Sequence, residues 1–518
     1  MFSCIRSLGL NGLACYEVSV ETDLSNGMPA FEIVGLPDMA VREARDRVRA
    51  AVKNCGYQFP VGRITVNLAP ADVKKSGPVY DLAVLLGILS ASSQIGEPDP
   101  ETAFIGELSL QGQLRPVQGA LSMVLAARDA GFARVVVPAE NRYEAGVVSG
   151  IEVLPATTVP AVIAHLSGAC PLEAYHSTLS PEDSAAEGQP DFSEVKGQEG
   201  AKRALEIAAA GGHNLLMVGP PGSGKSMLAK RLPSILPEMS FEESLRTTEI
   251  HSAAGILPAG TALIRQRPFR APHHTVSPYG LSGGGAFPRP GEISLAHNGV
   301  LFLDELPEFG RAALEILRQP LEDGQVTVSR VSGTVTFPCS FMTVAAMNPC
   351  RCGYRGHPTR PCTCSDAAAA RYLSRISGPL LDRFDLHIEV LPVNYDELTD
   401  RAPGEDSAKI RARVNRARAV QRRRLEALEQ AGQLSAGTAF CNAQLSQQAV
   451  AQVCRMSDGA QTLLRNAFEQ NGLSARAYSR VLKVARTIAD LADSDRIEEE
   501  QVLEAIQYRS LESKYWGK

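Results

Sequence analysis

Apolar and polar residues alternate along Tyr16-Glu17-Val18-Ser19-Val20-Glu21-Thr22 and along Arg63-Ile64-Thr65-Val66-Asn67-Leu68, the two-residue period of half-buried strands. From Ala40 to Asn54 and from Asp81 to Ser90 the apolar spacing is helical instead. Residues 1–168 therefore predict one α+β unit. Periodicity is lost from Ala169 to Asp191, where Pro, Ser, Glu and Ala crowd together, so residues 169–191 read as a linker.

A helix is expected next, over Gly200 to Ala210. Three short apolar runs follow: Leu215-Leu216-Met217-Val218, Val300-Leu301-Phe302-Leu303 and Met342-Thr343-Val344-Ala345-Ala346-Met347. Such runs predict buried strands of a parallel sheet, the centre of an α/β core over residues 192–390. Gln325 to Phe337 alternates on both sides of Ser332-Gly333, the pattern of a β-hairpin. From about Leu391 the pattern turns helical, giving a third unit over residues 391–518.

Composition changes this picture little. The chain has 518 residues, enough for three domains, with 44% hydrophobic and 21% charged residues and a formal charge of −5. A pI near 6.1 gives no global attraction to nucleic acid, so a case for it must come from local patches. No run approaches the roughly 18 apolar residues of a membrane helix, and Met1-Phe2-Ser3-Cys4-Ile5-Arg6 lacks a signal-peptide layout. A cytoplasmic protein without membrane contact is expected. Eleven cysteines are too sparse for a disulfide scaffold.

The candidate chemistry begins where the first apolar run ends, at Gly219-Pro220-Pro221-Gly222-Ser223-Gly224-Lys225-Ser226. Glycines 219, 222 and 224 let successive backbone N–H groups close around a triphosphate, and the following helix points its positive end at it. Lys225 would reach the β- and γ-phosphates and Ser226 would ligate Mg²⁺. The second run ends in Asp304-Glu305, a carboxylate to order the Mg²⁺ shell and another to polarise the attacking water. The third ends at Asn348, an amide suited to orienting that water or the γ-phosphate.

After Asn348 come Cys350-Arg351-Cys352 and, across a Gly- and Pro-rich turn, Cys362-Thr363-Cys364. Four thiolates in two close pairs close a tetrahedral site for a structural Zn²⁺, with His357 as a substitute ligand and free thiols as the alternative. The adjacent His273-His274 pair has no evident third ligand and reads as part of a pore-facing or subunit-contacting loop. Ile410 to Leu425 carries Arg411, Arg413, Arg416, Arg418, Arg422, Arg423 and Arg424 without an acid. That helix reads equally as a phosphate-binding surface or as a solvated face paired with acids elsewhere.

Together the phosphate loop, the acidic strand and the Asn348 strand resemble the AAA+ ATPases, and Ser377-Gly378-Pro379-Leu380-Leu381-Asp382-Arg383-Phe384-Asp385 resembles the arginine-finger segment of their magnesium-chelatase and replicative-helicase branch. The resemblance implies that Arg383 enters a neighbouring subunit's site, hence a ring, expected to be hexameric. It also implies that Val195 and Gly197 lie near the adenine and that Arg476 contacts the γ-phosphate from a helical lid, with Arg480 as rival. The hairpin would enter the central channel with Arg330 on the DNA backbone.

Ser76-Gly77-Pro78-Val79-Tyr80-Asp81, with Ile105 to Val117 and Gly131 to Pro138, resembles the Lon-protease domain. Val79 stands where that pattern has its nucleophilic serine, and Ala120-Leu121-Ser122-Met123-Val124 lacks the activating lysine. Peptidase activity is not expected. Lys74 and Lys75 beside this loop read as phosphate contacts or as a solvated turn. A dyad-less Lon-like domain, a magnesium-chelatase-like ATPase and a lid, in that order, resemble the YifB/ComM family of bacteria. That resemblance implies ATP-driven branch migration on single-stranded and branched DNA during natural transformation and recombination. A metal-chelatase motor and a protein-remodelling ATPase are the rival readings.

Overall fold

The computed structural model describes residues 1–177, 190–285, 288–330, 333–393, 404–433, 440–471 and 474–517. Most of the expected linker, and the side chain of Arg330, lie outside the described residues. The chain opens with β1 (Phe2–Asn11) and β2 (Ala14–Ser25), followed by β3 (Ala30–Val34), α1 (Met39–Asn54), β4 (Arg63–Ala69) and α2 (Asp81–Ala91). Then come β5 (Thr102–Phe104), α3 (Ala120–Asp129), β6 (Arg134–Pro138), β7 (Glu152–Ala156) and α4 (Val159–Leu166).

These strands form a seven-stranded mixed sheet in the order β3-β4-β2-β1-β5-β6-β7. Helix α1 buries a single stripe, Val41, Ala44, Val48, Ala51 and Val52, as its spacing predicts. Helix α2 is different: ten of its eleven residues are buried, so it forms the centre of the core rather than an amphipathic cover. Beyond α4 the chain stays on this unit as far as Ser177, where the Tyr175 N–H donates to Val153 O at 2.8 Å and the Ser177 N–H to Gly146 O at 2.9 Å.

The second unit carries α5 (Glu199–Gly211), β8 (Leu215–Val218), α6 (Lys225–Arg231), α7 (Phe241–Ala254), β9 (Phe269–Arg270) and β10 (Val300–Leu303). It continues with β11 (Gln325–Arg330), β12 (Gly333–Pro338), β13 (Met342–Met347) and β14 (Leu386–Glu389). Strands β9-β10-β13-β8-β14 make an all-parallel sheet, and β11 pairs antiparallel with β12 as a separate hairpin. Because β8, β10 and β13 are buried on both faces, alternate residues serve two cores. Leu215, Met217, Val300, Phe302, Val344 and Ala346 belong to one, and Leu216, Val218, Leu301, Leu303, Ala345 and Met347 to the other.

The C-terminal helices α8 (Ser407–Gln430), α9 (Gln447–Val453), α10 (Asp458–Asn471), α11 (Ala475–Leu491) and α12 (Glu499–Gln507) share the first of these cores with the sheet. Helix α5 mediates, accepting from Arg418 Nη2 at Ala209 O (2.9 Å) and from Gln421 Nε2 at Ala210 O (3.1 Å). The second core takes in the hairpin through Val326, Val328, Val335 and Phe337, and reaches the first unit at Leu13. Gly12, at φ +68°, turns β1 into β2, and a Cβ there would lie 2.2 Å from Val335 Cγ1. The middle of the hairpin therefore rests on the β1–β2 turn.

A second seam joins the units. The Gly119 N–H donates to Ser252 O at 3.1 Å, Ser122 Oγ donates to Glu249 Oε1 at 3.1 Å, and Ser252 Oγ donates to Glu144. Ser122 lies on α3, the helix without an activating lysine, and anchors it to α7.

Candidate nucleotide-binding site

The site is assembled at the carboxyl ends of β8, β10 and β13. Glycine is required at 219: a Cβ there would lie 2.2 Å from Val390 O, in the backbone that extends β14. Gly222 and Gly224 hold φ values of +76° and +87°, which L residues adopt only under strain. The loop so formed ends directly in α6, which starts at Lys225.

Lys225 is 8% exposed. Its Nζ donates to Gly219 O and Pro220 O, both at 2.8 Å, and lies 3.4 Å from Ser223 Oγ and from Asn348 Oδ1. Burial pulls its pKa down to about 8, against the opposing pull of Asp304 and Glu305. The ammonium is thus parked on loop carbonyls that a phosphate oxygen would replace. Ser226 Oγ donates to Asp304 Oδ2 at 2.7 Å, and Asp304 Oδ1 accepts the Glu305 N–H at 3.0 Å. Glu305 has a left-handed backbone (φ +54°) and is more than half exposed. One hydroxyl, two carboxylates, one amide and one ammonium therefore converge beside the glycine loop.

Two contacts were not read from the sequence. His274 Nδ1 lies 3.3 Å from Glu305 Oε2, and its ring lies against that of His273, tilted by 34° with centroids 4.1 Å apart. His274 thus meets the acidic strand end of its own chain. Gln198 Nε2 donates to Ser223 O at 3.3 Å and to Leu391 O, tying the phosphate loop to the segment after β14. Gln198 adjoins the expected adenine residues, of which Val195 is fully buried and Gly197 adopts φ +58°.

The arginines are distributed unevenly. Arg383 is 7% exposed and paired with Glu322 of its own chain, and its Nε lacks a hydrogen-bond partner. Arg476 is exposed at the start of α11. Arg480, one turn later, is drawn into the core, its Nη1 donating to Phe384 O at 3.4 Å and its Nε lying 3.8 Å from Asp385 Oδ1. On α8, Arg413 pairs with Glu206 and Glu405, Arg424 pairs with Asp490, and Arg418 donates to Ala209 O. Those three serve the fold, whereas Arg416, Arg422 and Arg423 are exposed. Lys75 corrects both readings offered for it: it is fully buried, and its Nζ donates to Val73 O at 2.8 Å.

Cys350, Cys352, Cys362 and Cys364 come together, with all four Sγ atoms within 4.8 Å of one another. His357 is outside the group, its Nδ1 accepting the N–H groups of Thr359 and Arg360 at 3.1 and 3.0 Å. Arg330 closes β11 opposite Gly333 at the hairpin tip.

A parallel sheet with a glycine loop between strand and helix, a lysine and serine at that helix's first turn and an acidic pair at the end of the next strand but one defines a phosphate-loop nucleotide-binding protein of the AAA+ class. Profiles described as "Magnesium chelatase, subunit ChlI", "Subunit ChlI of Mg-chelatase" and "Magnesium chelatase, subunit ChlI C-terminal" match residues 191–398, 20–141 and 404–509. "Uncharacterized protein YifB" of Escherichia coli K12 is 44% identical over 514 residues, 98% of this chain and 97% of the relative. "Competence protein ComM" of Haemophilus influenzae is 43% identical over 508 residues, covering 95% and 94%. A 168-residue match, 26% identical and covering 30% of this chain and 21% of the relative, is found with Lon protease of Mycolicibacterium smegmatis. The chain belongs to the YifB/ComM family of magnesium-chelatase-like AAA+ proteins, a family that implies use of ATP and Mg²⁺. No described helix is long and apolar enough to cross a membrane.

Proposed function

We propose that this protein is a cytoplasmic ATP-driven DNA motor that works as a hexameric ring and moves the branch point of joint molecules during recombination or uptake of DNA. The convergence of Lys225, Ser226, Asp304, Glu305 and Asn348 on one glycine loop carries the ATPase part of this reading. The relative named as a competence protein supports the DNA part. So does the hairpin, whose outer face carries Thr327, Ser329, Thr334 and Thr336, polar side chains suited to a phosphate backbone.

In this mechanism the loop N–H groups and the start of α6 hold the phosphates, and Lys225 exchanges Gly219 O and Pro220 O for phosphate oxygens. The Ser226 hydroxyl and the Asp304 carboxylate, 2.7 Å apart, are hard oxygen donors suited to Mg²⁺. The ion, when bound, supplies charge neutralisation on the phosphates. Glu305 orients and deprotonates water, and Asn348 fixes its approach. Arg383 must leave Glu322 to reach a neighbouring subunit. The first unit we read as a Lon-like scaffold without peptidase chemistry: Val79 is buried where a nucleophile would stand, and Ser122 is engaged with Glu249. The cysteine cluster we read as a zinc site.

The test measures ATP turnover with no additive, with single-stranded DNA, with a branched joint and with unfolded protein, using Lys225→Ala as background. DNA-stimulated turnover and ATP-dependent dissociation of a labelled three-stranded joint are expected. Arg330→Ala is expected to weaken DNA binding while sparing basal turnover. Turnover that ignores DNA and rises with unfolded protein would transfer the motor to protein remodelling, and indifference to both would favour a chelatase-type role.

A further inference from the structure

We infer that zinc held by Cys350, Cys352, Cys362 and Cys364 governs the nucleotide site: the metal braces Asn348 and the phosphate loop, and its loss disarms ATP binding. This rests on the nucleotide and zinc readings above. Cys350 Sγ lies 3.4 Å from Cys352 Sγ and 3.6 Å from Cys362 Sγ, and Cys352 Sγ lies 3.5 Å from Cys362 Sγ. A tetrahedron with Zn–S bonds of about 2.3 Å has S–S edges of about 3.8 Å. Three nearly equal edges a few tenths of an ångström below that value describe a shell around one centre, not a disulfide, whose sulfurs lie about 2.05 Å apart. All four cysteines are free, and Cys350 is fully buried.

Two links join this shell to the site. One is covalent: Cys350 follows Asn348 by two residues, so fixing its sulfur fixes the end of β13, where Asn348 Oδ1 lies 3.4 Å from Lys225 Nζ. The other is steric. Gly353, at φ +85° with its N–H on Cys350 O at 3.0 Å, lies against the phosphate loop, and a Cβ there would meet Pro221 Cδ at 2.5 Å and Asn348 Cγ at 3.8 Å. The turn between the first two thiols and the rest of the loop is thus a wall of the phosphate cradle. With the sulfurs released, their close approach would rest only on weak thiol contacts, and the wall would lose its anchor.

The experiment uses the full-length protein. Zinc per chain is measured on the purified protein, and affinity for a fluorescent ATP analogue on the same protein as isolated, stripped with a chelator and reloaded with zinc. One zinc per chain is expected, with the dissociation constant rising tenfold or more on stripping and returning on reloading. Cys362→Ser/Cys364→Ser should reproduce the stripped state, and Cys170→Ser, an exposed cysteine outside the cluster, should not. Because metal loss can also unfold this region, Gly353→Ala provides a second route: it should keep its zinc and lose affinity. Absence of zinc overturns the site. Zinc in the protein as isolated, together with a nucleotide affinity that is unchanged on stripping and unchanged in Gly353→Ala, overturns the coupling. Zinc-loaded protein that binds no nucleotide at all overturns the phosphate-loop reading and the coupling with it, leaving only the metal site.

Discussion

His297 makes the stability of the ATPase unit sensitive to mild acid. It precedes the acidic strand β10, is 8% exposed, and accepts the Ser340 N–H at Nδ1 over 3.0 Å, which requires that nitrogen to be unprotonated. Burial first, and then the nearby Arg246 charge, pull its pKa from 6.5 to about 4. Between those values the unfolded chain binds a proton that the folded chain refuses, so stability is complete above about pH 6.5 and falls as the pH drops toward 4. At pH 5 the unfolded imidazole is almost wholly charged and the folded one almost wholly neutral. The difference is about 1.5 pH units of linkage, or roughly 2 kcal/mol relative to pH 7.5. His297→Asn keeps an acceptor for Ser340 and cannot titrate. Trp516 is the chain's single tryptophan and packs against the core that contains β10 and β13, so its fluorescence reports unfolding of this unit in urea. Between pH 7.5 and 5 the native protein should lose about 2 kcal/mol more than His297→Asn. Equal losses in the two proteins would refute the argument, because every other titrating group is common to both.

Three further outcomes are expected. Glu305→Gln should retain nucleotide affinity and lower turnover by about 10²–10⁴, the usual worth of a positioned base, measured as steady-state phosphate release. His274→Ala removes a half-exposed pair worth about 0.5–1 kcal/mol, so kcat should rise about two- to fivefold with KM unchanged; a change in KM alone would place His274 in substrate binding. Ser122→Ala deletes a hydrogen bond to a carboxylate in the seam between the units, at a cost of about 1.5–3 kcal/mol, which should appear as faster limited proteolysis between them.

The elements most legible in the sequence were those whose signal is local. The strand, glycine loop and helix from Leu215 to Arg231 are contiguous, and glycine at 219, 222 and 224 leaves little choice of backbone. The two-residue period at Tyr16–Thr22 and Arg63–Leu68 likewise marked β2 and β4 because one face of each is buried. Helix α2 was legible as a helix and not as a core centre, since the unbroken run of eight non-polar residues from Leu82 to Leu89 carries no facing information. Contacts made by topology were hidden. His274 meets Glu305 only because β9 and β10 are neighbours in a parallel sheet, and adjacency to His273 gave no hint of it. Lys75 is buried with a backbone carbonyl as partner, against the ordinary expectation for a lysine in a turn. The arginine density on α8 was visible, but how those arginines divide between partners and solvent depends on Glu206 and Asp490, which only the fold brings near, as well as on Glu405 just before the helix.

The rest of the hairpin on Gly12 bears on how force could pass through this molecule. Any stroke that tilts β11 and β12 against the parallel sheet must carry Val335 across the β1–β2 turn, and there the chain offers it bare backbone with no side chain to catch on. Gly12 is then a bearing surface, and the first unit is the frame that holds it. The tolerance of that bearing is less than one methyl group, so alanine at 12 should jam the hairpin where smaller residues at 335 would free it.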